Sequence, residues 1–401
     1  GRVIDPASGF DRIADVGVDA GVITAVSTEP LRGTATIDAD GLVVSPGFID
    51  ILSYEPNDYG IWFKIGDGVT INLGMHGLNA RAADFFARFN QEGSPCHYGG
   101  AWDGPFHRAQ LLGLNPDDAA TPAQLEELAA DCAQQLAEGW IGVDLEPEYT
   151  PGAGYAELQR MAQVAAERGV PVFVHGRYSD DTPPGTNADT LAEILQLARD
   201  TGCGVHVEHL VSTGGTFSMS RSLETLRVAR DDEGLDVTAC MYPYDYWATY
   251  LASARFADGW QERFHITYDD LVVAGTGERV TESTFPALQD DNVLVAAFAI
   301  PEDDVTTCLQ APFVMIGSDA ILEPGNNNHP RATGCFTRVL GRYVREQETI
   351  GLVDALAKMT ILPARRLERA APARARKGRL QRGADADIVV FDPATVIDTS
   401  T

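Results

Sequence analysis

Short unbroken apolar runs recur along the chain, each followed by a longer amphipathic stretch. The runs at residues 47–52, 70–75, 96–102, 140–146, 171–175, 204–210, 237–242 and 313–319 read as buried strands. Continuous rather than alternating apolar positions suit parallel strands covered on both faces. Amphipathic segments at 121–138, 154–168, 187–201 and 222–232 read as helices. Thr121 and Asn187 stand where N-caps belong, and Gly139, Gly169 and Gly202 where C-terminal glycines belong. Eight strands with intervening helices predict an α/β fold, a (β/α)8 TIM-like barrel.

The connection from about 245 to 312 is too long for an ordinary loop. It is expected to hold helices and an extra strand around 293–299, and to cover the barrel mouth. Residues 3–44 and 378–398 are rich in short β runs and Gly/Asp turns, without convincing helices. The simplest assembly joins the two ends, 1–44 plus 369–401, into a small β-sandwich domain beside a barrel spanning 45–368.

A length of 401 residues suits such a barrel with an appendage, and 44% apolar residues exclude wholesale disorder. No run of about 18 apolar residues is present, and no charged-then-apolar leader opens the sequence, so a soluble, cytoplasmic protein is expected. The 58 acidic residues against 30 basic ones give a net charge of −28. Such a field repels nucleic acid and anionic membranes, and no basic stripe overrides it, so the expected partner is a small molecule. An anionic substrate would need a dedicated arginine. The six cysteines are scattered and contain no C-x-x-C pair, which speaks against a disulfide framework or a structural zinc site. A homo-oligomer, most simply a dimer, is the general expectation.

Barrel chemistry sits at the C-terminal ends of strands. Three of the eight histidines fall there: His76, His175 and His209, at the ends of the second, fifth and sixth strands, and Asp319 closes the eighth. A lone histidine at a strand end is more often a hydrogen-bonded structural residue. Three together, with a terminal aspartate, favour a site. Three imidazoles and an open position are what a catalytic zinc needs, and a carboxylate can take the proton of its water. His206 is out of phase and reads as structural, while His97, His107 and His265 have no supporting context.

A series of motifs runs along nearly the whole chain: Val44-Ser45-Pro46-Gly47-Phe48-Ile49-Asp50, Gly68-Val69-Thr70, Glu148-Tyr149-Thr150-Pro151-Gly152, His175-Gly176-Arg177 and Val207-Glu208-His209-Leu210. Tyr242-Pro243-Tyr244, Gly317-Ser318-Asp319, Asn328-His329-Pro330-Arg331, Lys358-Met359-Thr360-Ile361-Leu362-Pro363-Ala364 and the segment from Gly383 to Asp392 follow. In this order they resemble the amidohydrolase superfamily, and within it the D-aminoacylases (N-acyl-D-amino-acid deacylases). The resemblance implies a metal-dependent hydrolase with His175 and His209 as ligands and Asp319 as general base. It also places Arg331 and Arg177 near a substrate carboxylate, which the planar guanidinium fork binds bidentately.

Three departures from the family pattern change the expectation. Asp50 is followed by Ile51-Leu52-Ser53-Tyr54 where the superfamily has His-x-His. His76 stands where such deacylases place a bridging cysteine, and Val211 where they place a lysine. The first two predict loss of the second metal, leaving one zinc on His76, His175 and His209. Glu146 and Glu148 end the fourth strand, where no lysine is available for a carboxylated bridge. Tyr242 and Tyr244 are candidates for donating to an oxyanion, or are packing residues; the aromatic stretch 246–250 either walls the pocket or packs the insertion. The expected reaction is hydrolysis of a C–N amide bond in a carboxylate-bearing small molecule, such as an N-acyl-D-amino acid or a cyclic amide. The alternatives are a barrel repurposed for another reaction on a specialised metabolite, or a metal-free pseudoenzyme that binds ligands or partners.

Overall fold

The computed structural model describes residues 1–55, 57–321 and 329–399. Asn328 of the 328–331 motif, and the last two residues of the predicted terminal domain, lie outside them. All eight predicted strands are present: β1 (Phe48–Ser53), β2 (Val69–Gly74), β3 (His97–Gly100, resuming as Trp102–Asp103), β4 (Val143–Leu145), β5 (Val172–Val174), β6 (Val205–Val207), β7 (Val237–Met241) and β8 (Val314–Ile316). Neighbours pair in parallel in chain order, as in Val143 with Val172 and Val172 with Val205. Both faces of β4, β5 and β6 are buried, which is why their sequences do not alternate.

The ring closes between β8 and β1, where the Asp319 N–H donates to the Leu52 carbonyl at 2.8 Å. Asp50 reinforces the seam by accepting the Ser318 N–H at 2.9 Å. The buried Lys64 ammonium bonds both the Asp50 carboxylate and the Ser318 hydroxyl.

Helices Pro122–Glu138, Tyr155–Arg168 and Asn187–Thr201 pack outside the strands. Thr121 forms a capping box with Gln124, and Gly139, Gly169 and Gly202 end the three helices. One cap differs from expectation. Thr186, not Asn187, caps the third helix, because its side chain accepts the Asp189 N–H. Asn187 is buried and bonds the Thr216 carbonyl at 2.7 Å and the Gly214 N–H at 2.9 Å.

The insertion carries the anticipated strand at Leu294–Ala297, flanked antiparallel by Trp247–Tyr250 and Leu271–Val273. Strands from both chain ends share one four-stranded sheet, ordered Ile388–Phe391, Val43–Pro46, Arg2–Asp5, Phe10–Ile13. Val43–Pro46 crosses the boundary expected at residue 44. Among the described residues no helix is long and apolar enough to cross a membrane. All six cysteines are buried and unpaired.

Candidate active site

His76, His175, His209 and Asp319 leave the ends of β2, β5, β6 and β8 and meet at one mouth. The His175 and His209 ring centroids are 4.7 Å apart, and His76 lies 5.5 Å from each. All three are buried. Reaching this point strains the backbone: His209 has φ +22° and Asp319 has φ +51°, a region that non-glycine residues avoid. Gly77, after His76, has φ +55°, and a Cβ there would stand 2.5 Å from the Tyr54 ring. Its N–H donates to Asp144 at 3.1 Å.

Hydrogen bonds orient the rings. Nε2 of His175 lies 2.7 Å from Glu148, which also accepts from Ser179 at 2.7 Å and Arg255 at 3.1 Å. The His175 proton therefore belongs on Nε2, and the Nδ1 lone pair faces Nε2 of His209 at 3.1 Å. Nδ1 of His209 is bonded to the Thr213 hydroxyl at 3.1 Å. Burial holds both imidazoles well below their ordinary pKa, in the neutral form that binds metals.

His76 sits in a different field. Its Nδ1 is 2.9 Å from Glu208, 3.5 Å from Glu146 and 4.0 Å from Asp144. Burial alone would lower its pKa, but Glu146, Glu208 and Asp319 outweigh it and push it up to about 10. Burial in turn raises Asp144 and Glu146, and brings Glu208 up to about 7. Apart from their contact with each other, the Glu208 carboxylate and Nδ1 of His76 lack hydrogen-bond partners, as does one oxygen of Asp144. Donor atoms of His76, His175, His209 and Glu208 lie within 4.8 Å of one another, as do those of His76, Asp144 and Glu146. These carboxylates beside the neutral imidazoles of His175 and His209 fit a divalent cation, which would take their lone pairs and displace the proton that the acidic groups hold on His76.

The mouth opens into a cavity of about 490 Å³. Tyr242 lines it with an unpartnered hydroxyl. Arg331 lines it too, but its guanidinium stands 2.8 Å from Asp319 and 4.7 Å from the Tyr242 ring, so it engages the candidate base. Two expected residues do not reach the cavity. Arg177 grips Glu193, in the helix that follows, at 3.0 Å and the Ala153 carbonyl at 2.8 Å. Tyr244 packs under Arg338 at 4.5 Å and donates to Asp398 at 3.4 Å.

Leu52 and Val211 are buried in the core. Tyr54 lines the cavity edge-on to His76, and burial beside Asp319 and Glu146 keeps its phenol protonated. Trp247 fills both roles weighed for the aromatic stretch, lining the cavity and packing on Phe256 and Phe264. His206 is tied to Thr238 at 2.8 Å, away from the mouth.

Sequence reasoning missed Asp144 and Glu208 and gave Glu148 no role. The period-two spacing of Asp144, Glu146 and Glu148 was the available signal, since alternate strand positions share a face.

A model of the amidohydrolase family matches residues 106–400. An N-acyl-D-glutamate deacylase of Alcaligenes xylosoxydans xylosoxydans is 32% identical over all of this chain and 88% of its own length. A crystal structure of N-acyl-D-glutamate deacylase from Bordetella bronchiseptica, complexed with zinc and a phosphonate mimic of the tetrahedral intermediate, is 30% identical. It has a TM-score of 0.84, covering all of this chain and 90% of that one. A D-aminoacylase structure, described as a binuclear centre with one-metal activation and second-metal attenuation, has a TM-score of 0.85 at 25% identity, again covering all of this chain and 90% of that one.

Proposed function

We propose a specific reaction for this chain, which belongs to the amidohydrolase family, is D-aminoacylase-like and is a hydrolase acting on C–N amide bonds. The reaction is hydrolysis of a small carboxylate-bearing amide of the N-acyl-D-amino-acid type, with one zinc ion held by His76, His175 and His209. The reading is carried by one observation: imidazoles from three separate strands turn their rings on one another at the mouth of a closed parallel barrel. A bound zinc supplies polarisation of the scissile carbonyl and a water of lowered pKa.

The chain's own groups do the rest. Asp319 accepts the water proton and returns it to the leaving nitrogen. The Tyr242 hydroxyl, without a partner in the cavity, donates to the oxygen that gains charge. Arg331 stays on Asp319 until a substrate carboxylate competes for its fork. Trp247, Tyr250 and Arg255 bring the insertion over the substrate. We place this chemistry in a barrel of residues 45–368, with 1–44 and 369–401 as a separate β-sandwich domain and the whole in the cytoplasm.

Metal analysis of protein purified without added zinc, together with release of free amine from N-acetyl-D-amino acids, tests this reading. About one equivalent of metal and turnover lost in His76→Ala are expected. Turnover by metal-stripped protein, or unchanged stoichiometry in that variant, rejects the assigned ligands.

A further inference from the structure

We propose that Glu208 is a direct ligand of the cation, so that the centre is three imidazoles and one carboxylate. This rests on the metal-dependent reading above and adds a donor that neither the strand-end histidines nor the motifs implied.

Glu208 lacks, among the described residues, the arginine partner that neighbouring carboxylates have. It is fully buried, and among the described residues the one hydrogen-bond donor within reach of its carboxylate is Nδ1 of His76, itself a candidate ligand. Three of its buried acidic neighbours have donors or a cationic partner, although one oxygen each of Asp144 and Asp319 has none. Glu148 takes bonds from Ser179, Arg255 and His175, and Asp319 is paired with Arg331. Asp103 takes the Phe106 and Asn79 N–H groups. Among the described residues, no lysine or arginine forms an ion pair with Glu208; only His76 and His209 come within 4.0 Å. A buried carboxylate whose close partners are two imidazoles, with no lysine or arginine, is placed to be completed by a cation that those imidazoles share.

The position of the carboxylate supplies the second part. Oε2 stands 2.9 Å from Nδ1 of His76 and 3.9 Å from Nε2 of His209, which is itself 3.1 Å from Nδ1 of His175. Donors bound to one zinc at about 2.1 Å are separated from each other by roughly 3 to 4 Å. Glu208 therefore occupies ligand range rather than the rim.

Successive strand residues normally face opposite ways, but the φ of +22° at His209 breaks the alternation and brings Glu208 and His209 to the same ion. A hard oxygen donor in the set widens the acceptable metals toward Mn²⁺ and Co²⁺. The competing account is that Glu208 only neutralises a protonated His76. Removing its charge would then free Nδ1 and leave cation binding equal or tighter.

The test uses the full chain, stripped of metal and reloaded with Co²⁺ or Zn²⁺, as wild type, Glu208→Gln and Glu208→Asp. Glu208→Gln is expected to weaken Zn²⁺ binding at least 10-fold and to alter the position and intensity of the visible Co²⁺ bands. Glu208→Asp, which keeps a donor on a shorter arm, is expected to fall between. Wild-type affinity and an unchanged Co²⁺ spectrum in Glu208→Gln overturn the assignment while leaving the metal reading standing. If circular dichroism shows Glu208→Gln unfolded, Glu208→Asp decides, and an unchanged spectrum there overturns it equally. A wild type that takes up no cation overturns the metal reading, and this inference with it.

Discussion

The 2.7 Å contact between Glu148 and His175 determines which nitrogen is left for a cation, and so how well the ring chelates. Replacing Glu148 with Gln should cost about 10- to 100-fold in metal affinity, measured by competition with a chelating dye. Asp319→Asn should behave oppositely, keeping the metal while kcat falls by about 10² to 10⁴. Away from the site, burial raises Asp67 from 3.8 to about 6, even though it accepts bonds from the backbone of Phe336 and Thr337. The folded chain then holds that proton more tightly than the unfolded one. Stability falls as pH rises from about 4 to about 6, by about 3 kcal/mol from this group. Denaturation midpoints of wild type and Asp67→Asn at pH 4 and pH 7 should diverge accordingly. Strand periodicity located the three histidines and Asp319, since each ends an apolar run. It did not disclose that Arg331, at the start of a helix, meets Asp319 or that Glu208 meets His76 from a distant strand end, because both contacts depend on side-chain direction where the backbone leaves the β region.

Elements were legible where burial on both faces made the apolar run continuous, which is why all eight barrel strands were found. Leu271–Val273 escaped; it is as short as β4, but only Leu271 of it is fully buried. The cap of the Asn187–Thr201 helix was misassigned by one residue because Thr186 and Asn187 are both capping types. Their roles separate by mutation. Thr186→Ala should cost about 1 kcal/mol through the lost cap. Asn187→Ala should cost about 1 to 3 kcal/mol by unsatisfying the Gly214 N–H and the Thr216 carbonyl, and it should also loosen the loop after β6. Urea unfolding gives both values, and hydrogen exchange at Gly214 distinguishes them.

The charge of −28 belongs to the whole molecule and acts on encounter rather than on the fold. For a carboxylate-bearing substrate, kcat/KM should rise as ionic strength goes from about 10 to 150 mM, because salt screens the repulsion. A neutral amide of the same size should show little change, and stopped-flow or initial-rate assays compare the two. The terminal sheet works at this scale as well. Val43–Pro46 lies between Arg2–Asp5 and Ile388–Phe391, so one of its edges is completed by chain made more than 340 residues later. On the ribosome that edge waits, bare and able to pair, until residues 388–391 have been made. A nascent chain of this protein is therefore exposed to mispairing at that edge until Ile388–Phe391 emerges to cover it.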